Sequence, residues 1–155
     1  MLFRSLQNAE LEIASLRPTV GSLQQLQAIR EQDTMKNDLE IVGIPEHENE
    51  NLTHIVLTTS QKIGVELCET DIAEITRAGP KRNSRQTLSP RPIVLRLLRK
   101  QKRDDMVRAA KARRNITTEN AVGGEPKAIF INERLTKENR RLFREARICA
   151  KENKF

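Results

Sequence analysis

The chain has 155 residues, of which 37% are hydrophobic and 32% are charged, so it holds one modest core with an extension. No apolar run approaches the length of a membrane span, and the N-terminus lacks an apolar signal segment, so we expect no membrane partner. The net charge of +7 favours an anionic partner. Two isolated cysteines, Cys68 and Cys149, suit a reducing compartment, and we expect a nuclear or cytoplasmic protein.

Residues 1–36 predict a coiled-coil helix that assembles a dimer or trimer. Their apolar side chains recur at alternating steps of four and three, which is the seam pattern of a coiled coil. The seam consists of Leu2, Leu6, Ala9, Ile13, Leu16, Val20 and Leu23. Pro18 predicts a kink or a break, and Leu26 and Ile29 belong to a shifted phase. A single amphipathic helix packed on the domain remains the alternative.

Residues 37–135 predict a ferredoxin-like α+β domain in the order βαββαβ. Two aliphatic runs, 39–45 and 93–98, indicate strands, and the second passes directly into a basic helix over 99–114. A helix from 51 or 53 to 63, a weaker strand over 71–78 and a last strand over 128–132 complete the order. Residues 79–90 and 115–127 are loops by composition. This arrangement is a four-stranded antiparallel sheet with two helices on one face, as in RNA-recognition modules.

Positive charge is concentrated in the middle of the chain. Fourteen Lys and Arg lie between Arg77 and Arg114, with only Asp104 and Asp105 as acids. The preceding block from Asp38 to Glu74 carries a net charge of −8. We expect this asymmetry to orient the domain on nucleic acid, with affinity that falls steeply as salt rises.

The open face of the predicted sheet lacks rings on its first and third strands. Glu40 takes the place of a stacking aromatic, and Arg96 is either a phosphate ligand or a cross-strand partner of Glu40. Contacts to phosphate, with weak sequence selectivity, are therefore predicted. The predicted nucleic-acid-binding residues are Arg77, Lys81, Arg82, Arg85, Arg91, Arg96, Arg99 and Lys100, with Arg113 and Arg114 as a second-choice patch.

No catalytic constellation is found. His47 and His54 are the only histidines, and the sequence has neither a phosphate-cradling Gly loop nor ligand-spaced Cys and His. Glu46, Glu48 and Glu50 are read as solvated turn acids rather than a cation site. We expect no enzyme, metal, cofactor or small-molecule substrate. The other open function is a coiled-coil structural or interaction protein whose basic patch binds no nucleic acid.

Several stretches resemble known retroelement and viral proteins. NDLEIVGIPE, EITRAGPKR, PRPIVLRLL, KARRN and AIFINERLTKENRRLFREARICAKENKF resemble the few-polyhedra (FP) proteins of baculoviruses and FP-like, retrotransposon-derived insect proteins. The domain order is similar to that of the first-open-reading-frame protein of LINE retrotransposons. That resemblance implies a coiled-coil oligomer that binds single-stranded RNA or DNA and has chaperone activity. It also implies that residues 136–155 form a basic helix leading to a missing C-terminal domain, so that the chain is a fragment.

Overall fold

The computed structural model describes residues 1–81 and 89–153. The chain forms two compact units. One unit is Lys36–Leu135, and the other combines Met1–Met35 with the residues from Thr136 onward. No helix among the described residues is both long enough and apolar enough to cross a membrane.

The unit Lys36–Leu135 is built on one antiparallel sheet. Its strands are β1 (Asp38–Val42), β2 (Ile72–Arg77), β3 (Ile93–Leu97) and β4 (Phe130–Glu133). Its helices are α2 (Leu52–Ile63), α3 (Lys100–Ala112) and the short α4 (Thr118–Ala121), and a 3-10 turn, Glu69–Asp71, precedes β2. The strands lie in the order β2-β3-β1-β4, which confirms the predicted ferredoxin-like α+β arrangement.

Period-two alternation sets the core face of the sheet. The predicted inward residues Leu39 and Ile41 of β1 and Leu95 of β3 are fully buried. They form one hydrophobic cluster with side chains of the two longer helices, among them Val56 of α2 and Met106 of α3. α2 and α3 therefore cover this face, and the alternate residues of each strand point to the opposite, open face.

The limits of α2 follow the capping rules. The side chain of Asn51 accepts a hydrogen bond from the backbone N–H of His54 at 3.0 Å. At the other end Gly64 has φ +85°, the left-handed conformation that satisfies the last helical carbonyls. Both ends lie where the sequence predicts them.

The region predicted as a loop over 115–127 holds α4 instead. Thr118 is buried there, and its hydroxyl donates to the Glu125 carbonyl and accepts from the Lys127 N–H. The last strand begins at Phe130 rather than at residue 128. The residues before it pair elsewhere, since Ala128 forms a bridge with Thr117 and the Ile129 N–H donates to the Ile116 carbonyl. Gly43, at φ +103°, allows this segment to approach, because a Cβ on it would lie 2.2 Å from the Ala128 carbonyl oxygen.

The other unit contains two helices, α1 (Leu2–Thr34) and α5 (Lys137–Glu152). A break at Pro18 is not found, because α1 runs through it as one helix. Pro18 removes one backbone donor, but it lies on the side away from the apolar seam, where water can reach the freed carbonyl. α5 starts at the predicted cap, since the Thr136 side chain accepts from the Asn139 N–H at 3.3 Å.

Candidate nucleic-acid interface

Arg77, at the end of β2, is predicted to contact phosphate, but its guanidinium lies inside the domain. It donates to both carboxylate oxygens of Glu50 at 2.7 and 2.8 Å. Its other hydrogen bonds reach the carbonyl oxygens of Ile44, Pro45 and Arg91 at 2.6–3.0 Å. All five donors of the side chain are thus used, and it is 5% exposed. Arg77 has no donor left for a phosphate, so the structure argues against its predicted role.

Arg91 connects the two ends of the segment that joins β2 to β3. Its guanidinium forms a bidentate pair with Glu46 and donates to the Gly79 carbonyl at 2.8 Å. The hydrogen bond from Arg91 lowers the pKa of Glu46, as the hydrogen bond from Arg77 lowers the pKa of Glu50. Glu46 and Glu50, read as solvated turn acids, are instead partners of these two arginines.

Asp38 of β1 binds an arginine of β3 and the arginine that follows β4, on the open face. Arg96 of β3 forms a bidentate pair with its carboxylate at 2.8 and 3.1 Å, and Arg134 donates to it at 3.1 Å. The register sets Asp38 opposite Arg96 and Glu40 opposite Val94, so the cross-strand partner of Arg96 is Asp38 rather than the suggested Glu40. Asp38 is fully buried, and its hydrogen bond raises the pKa of Arg96.

Arg96 and Arg134 remain partly open to solvent. The side chain of Arg96 is 45% exposed, and that of Arg134 is 32% exposed. They line a shallow polar depression of the open face together with Asp38, Glu74, Thr76 and Val94. Glu74 lies 3.9 Å from Arg96, so the depression carries acids as well as cations.

Most cations of α3 have partners within the domain. Arg103 is buried, donates to the Lys36 carbonyl and pairs with Asp104 and Glu133 at 3.1 Å. Further ion pairs join Lys100 to Asp104, Lys102 to Asp71 and Arg108 to Asp105. Arg113 donates to the Lys62 carbonyl near the C-terminus of α2, where a cation also favours the helix dipole.

The two charged blocks are therefore neighbours. The acidic block supplies partners for the basic block, namely Asp38, Glu46, Glu50, Asp71 and Glu74. The acidic and basic blocks are separate in the sequence, but the ion pairs bring their charges together, so the folded domain is less asymmetric in charge than the sequence predicts. Among the described residues of the basic block, the exposed cations without an ion pair are Lys81, Arg99, Lys111, Arg113 and Arg114, of which Arg113 donates to the Lys62 carbonyl. The predicted Arg82 and Arg85 lie outside the described residues.

Two residues of the open face were missed in the sequence. Phe130 pairs with Val42, one position from the inward pair Ile41 and Ile131, so its ring points to the open face, where it is 57% exposed. Arg134 follows the same strand. The alternation of Ile129, Phe130 and Ile131 is the signal in the sequence that identifies this ring, which lies on the fourth strand rather than on the first or third.

The predicted oligomer seam is exposed on α1. Leu2, Leu6, Ile13, Leu16, Val20 and Leu23 have exposed fractions between 50% and 80%. α1 has no buried residue over its 33 positions. A helix of this length with an uncovered apolar seam is typical of a segment that pairs with another chain.

The sheet order, the helices on one face and the polar open face define an RNA-recognition-like α+β domain. Residues 36–126, more than half of the chain, match the L1 transposable element RBD-like domain. The chain belongs to this family, which confirms the predicted relationship to retrotransposon proteins. No curated protein matches the chain significantly.

Proposed function

We propose that the protein is an oligomeric, single-strand nucleic-acid-binding protein of retroelement type. The observation that carries the proposal is the match of residues 36–126 to an L1 RBD-like domain. The chemistry is directed to phosphate and is weakly selective for sequence. A chaperone role and the relationship to baculovirus FP proteins rest on the resemblance alone.

Phosphates contact the open sheet face and its exposed cations. Arg96 and Arg134 supply partly exposed guanidinium groups on that face. Lys81 follows β2, Arg99 occupies the position before α3, and both are exposed without ion pairs among the described residues. Arg82 and Arg85 remain predictions of the sequence. Phe130 adds a ring on which a base can stack.

Oligomers form through the seam of α1. The uncovered apolar side chains favour pairing with further copies of this chain, as a dimer or trimer. Because about three heptads make a marginal coiled coil, we expect dissociation at low micromolar concentration or below. A nuclear or cytoplasmic location agrees with a nucleic-acid partner.

The protein acts by binding and not by catalysis. Among residues 1–81 and 89–153, no group of three or more His, Cys, Asp or Glu is placed to hold a metal ion. Glu46 and Glu50 serve as partners of Arg91 and Arg77.

A second function is favoured by the internal pairing of the basic block. If these cations keep their ion pairs and bind no phosphate, the protein serves as a structural or interaction protein. The two functions differ in one observable, because only the first predicts a strong salt dependence of nucleic-acid binding.

The test is a salt titration of labelled single-stranded RNA and single-stranded DNA, read by fluorescence anisotropy. We expect log affinity to fall linearly with log salt concentration, by about 0.7 for each phosphate contacted. Lys81→Gln and Arg99→Gln lower this slope. Arg108→Gln is the matched control, since Arg108 pairs with Asp105 on α3. A flat salt dependence, or no binding at all, contradicts the proposal and supports the interaction protein.

A further inference from the structure

The open face of β1 and β4 carries an aromatic ring, an amide and a carboxylate as neighbours. The register pairs Phe130 of β4 with Val42 of β1, and two positions further along it pairs Asn132 with Glu40. Residues two apart on a strand share a face, so Phe130, Asn132 and Glu40 all lie on the side opposite the helices. Phe130 and Asn132 are exposed, and Glu40 is half-buried. We call these three residues the Phe130 platform.

The spacing of the Phe130 platform suits a single nucleobase. Directly opposite residues of an antiparallel pair have Cβ atoms about 4.5–5.5 Å apart, and diagonal neighbours lie about 7–8 Å apart. Glu40 is the direct neighbour of Asn132 and the diagonal neighbour of Phe130. A base that stacks on the Phe130 ring therefore has the Asn132 amide and the Glu40 carboxylate within reach of its edge.

The two polar groups of the platform differ in what they offer to a base. The carboxylate of Glu40 only accepts hydrogen bonds, and it has about four lone-pair sites, so it can accept from a base in addition to any bond within the domain. The amide NH₂ of Asn132 donates. Side by side, the two groups present a donor and two acceptors, which is the pattern of the Watson–Crick edge of cytosine.

Guanine carries the complementary edge. Its O6 accepts, and its N1–H and N2–H₂ donate from adjacent positions, which suits the two oxygens of a carboxylate and makes both bonds charge-assisted. Uracil and thymine place a carbonyl oxygen on each side of their single N–H, and a carboxylate repels these oxygens. Adenine and cytosine each offer one amino group beside a ring nitrogen that accepts. Guanine therefore makes the most hydrogen bonds to this pair of side chains.

We infer that the Phe130 platform binds a guanine base of single-stranded nucleic acid, with the ring stacked on the base and with Glu40 and Asn132 bonded to its Watson–Crick edge. This inference rests on the proposed function and adds one base-selective position to binding that is otherwise directed to phosphate. A duplex keeps this edge of guanine paired and cannot offer it. RNA and DNA carry the same base, so both are ligands of the platform.

The first test changes the nucleic acid and leaves the protein intact. Short labelled strands of uridine, with either guanosine or inosine at every fourth position, are compared with pure uridine strands by fluorescence anisotropy. Inosine keeps the stacking surface, O6 and N1–H of guanosine and lacks only the N2 amino group. A bidentate contact discriminates between bases by about fivefold or more, so we expect the guanosine strand to bind at least about fivefold tighter than the uridine strand. The inosine strand should lie between them, and thymidine strands with deoxyguanosine should show the same preference.

Glu40→Gln tests the carboxylate with a side chain of the same size. The variant should lose most of the guanine preference, because an amide offers one acceptor and sets a donor against the donors of guanine. Glu74→Gln is the matched control, since Glu74 is exposed on the same face but lies on β2, opposite Arg96. It changes the net charge equally and should keep the preference. Circular dichroism checks that both variants remain folded.

Phe130→Leu tests the ring of the platform. Stacking contributes about fivefold or more to the affinity for each base, so we expect weaker binding of every strand and a smaller guanine preference. The salt dependence of binding should stay unchanged, because stacking releases no counterions.

The outcomes separate this inference from the proposed function. Equal affinity of the wild-type protein for the guanosine and uridine strands overturns the inference and leaves the proposed function standing. A guanine preference that survives Glu40→Gln also overturns it, because the selective site then lies elsewhere. If the wild-type protein binds none of the strands, the inference and the proposed function are both wrong.

Discussion

Arg77 joins three segments of the RBD-like domain. Its guanidinium binds the chain after β1 through Ile44 and Pro45, the turn before α2 through Glu50, and the strand entry at Arg91. Such a group resists replacement, because every hydrogen-bonding partner loses its donor when the side chain is shortened. The role of Arg77 is therefore in stability.

Replacing Arg77 with alanine should destabilise the fold strongly. It leaves the Glu50 carboxylate, 12% exposed, and three carbonyls without their partner. Breaking a buried ion pair from one side costs about 3–5 kcal/mol. We expect a loss of this size in the free energy of unfolding measured by urea denaturation. Arg77→Lys, with three donors in place of five, should recover only part of the lost free energy of unfolding.

Arg99→Ala is the control for that substitution. Arg99 is exposed and has no ion pair among the described residues, so its removal should change unfolding by less than about 0.5 kcal/mol. Equal effects of Arg77→Ala and Arg99→Ala would show that the Arg77 network adds nothing to stability.

The pairs of Glu46 and Glu50 make the fold sensitive to acid. Hydrogen bonds from Arg91 and Arg77 lower the pKa of these carboxyls below their ordinary value of 4.5. A carboxyl with a lowered folded pKa contributes stability above its unfolded pKa and loses it as the pH falls through the folded value. Stability should thus be flat near neutral pH and fall below pH 4.5. Urea midpoints measured against pH test this.

Glu50→Gln separates that contribution from general acid unfolding. The variant cannot titrate, so its stability should be lower at neutral pH and should approach the wild-type value in acid. Parallel pH curves for the wild-type protein and Glu50→Gln would contradict the assignment. Glu48→Gln serves as the control because Glu48 is exposed.

At the scale of the elements, local sequence patterns were enough to predict the strands and the long helices. Alternation identified β1 and β3, and the caps Asn51, Gly64 and Thr136 marked helix ends, because both signals depend on residues close in sequence. α4 was missed because its single turn depends on Thr118 and its partners seven to nine residues away.

The candidate site was less predictable than the fold. A sequence shows that Arg77 and Arg91 are cations, but their availability depends on Glu50 and Glu46, which lie 27 and 45 residues away. Such partners are set by strand register and loop paths, which composition does not encode. Arg99 and Lys81 remain exposed, and among the described residues no acid lies within ion-pair distance of either side chain.

Gly21 offers a prediction at the level of α1. It borders the seam in the same shallow groove as Leu16 and Val20, and a Cβ added there meets nothing within 4 Å. Alanine is favoured over glycine inside a helix by about 0.5–1 kcal/mol. Gly21→Ala should therefore raise the thermal midpoint measured by circular dichroism without changing the number of chains in the oligomer. A lower midpoint would place Gly21 in an interface.

At the scale of the whole molecule, the proposed pairing of the α1 seam would set how many binding surfaces act together. The proposed dimer or trimer would carry two or three RBD-like domains on one assembly, so that a long strand could engage several domains at once. The overall affinity of linked sites can exceed the affinity of one site by a factor of about 10²–10⁴. A short oligonucleotide reaches one site only and gains nothing from assembly.

The double variant Leu16→Asp/Val20→Asp tests this coupling. Two charges in the apolar seam should yield a monomer in sedimentation, because paired carboxylates cannot be desolvated there. Binding of a short single strand should keep its wild-type affinity, and binding of a long strand should weaken by at least tenfold. Ser15→Asp/Ser22→Asp is the matched control, since it adds the same charges on the outer side of α1 and should keep both the oligomer and its long-strand affinity. If the seam variant becomes a monomer and still binds long strands as tightly as the control, each chain binds independently, and α1 serves assembly alone.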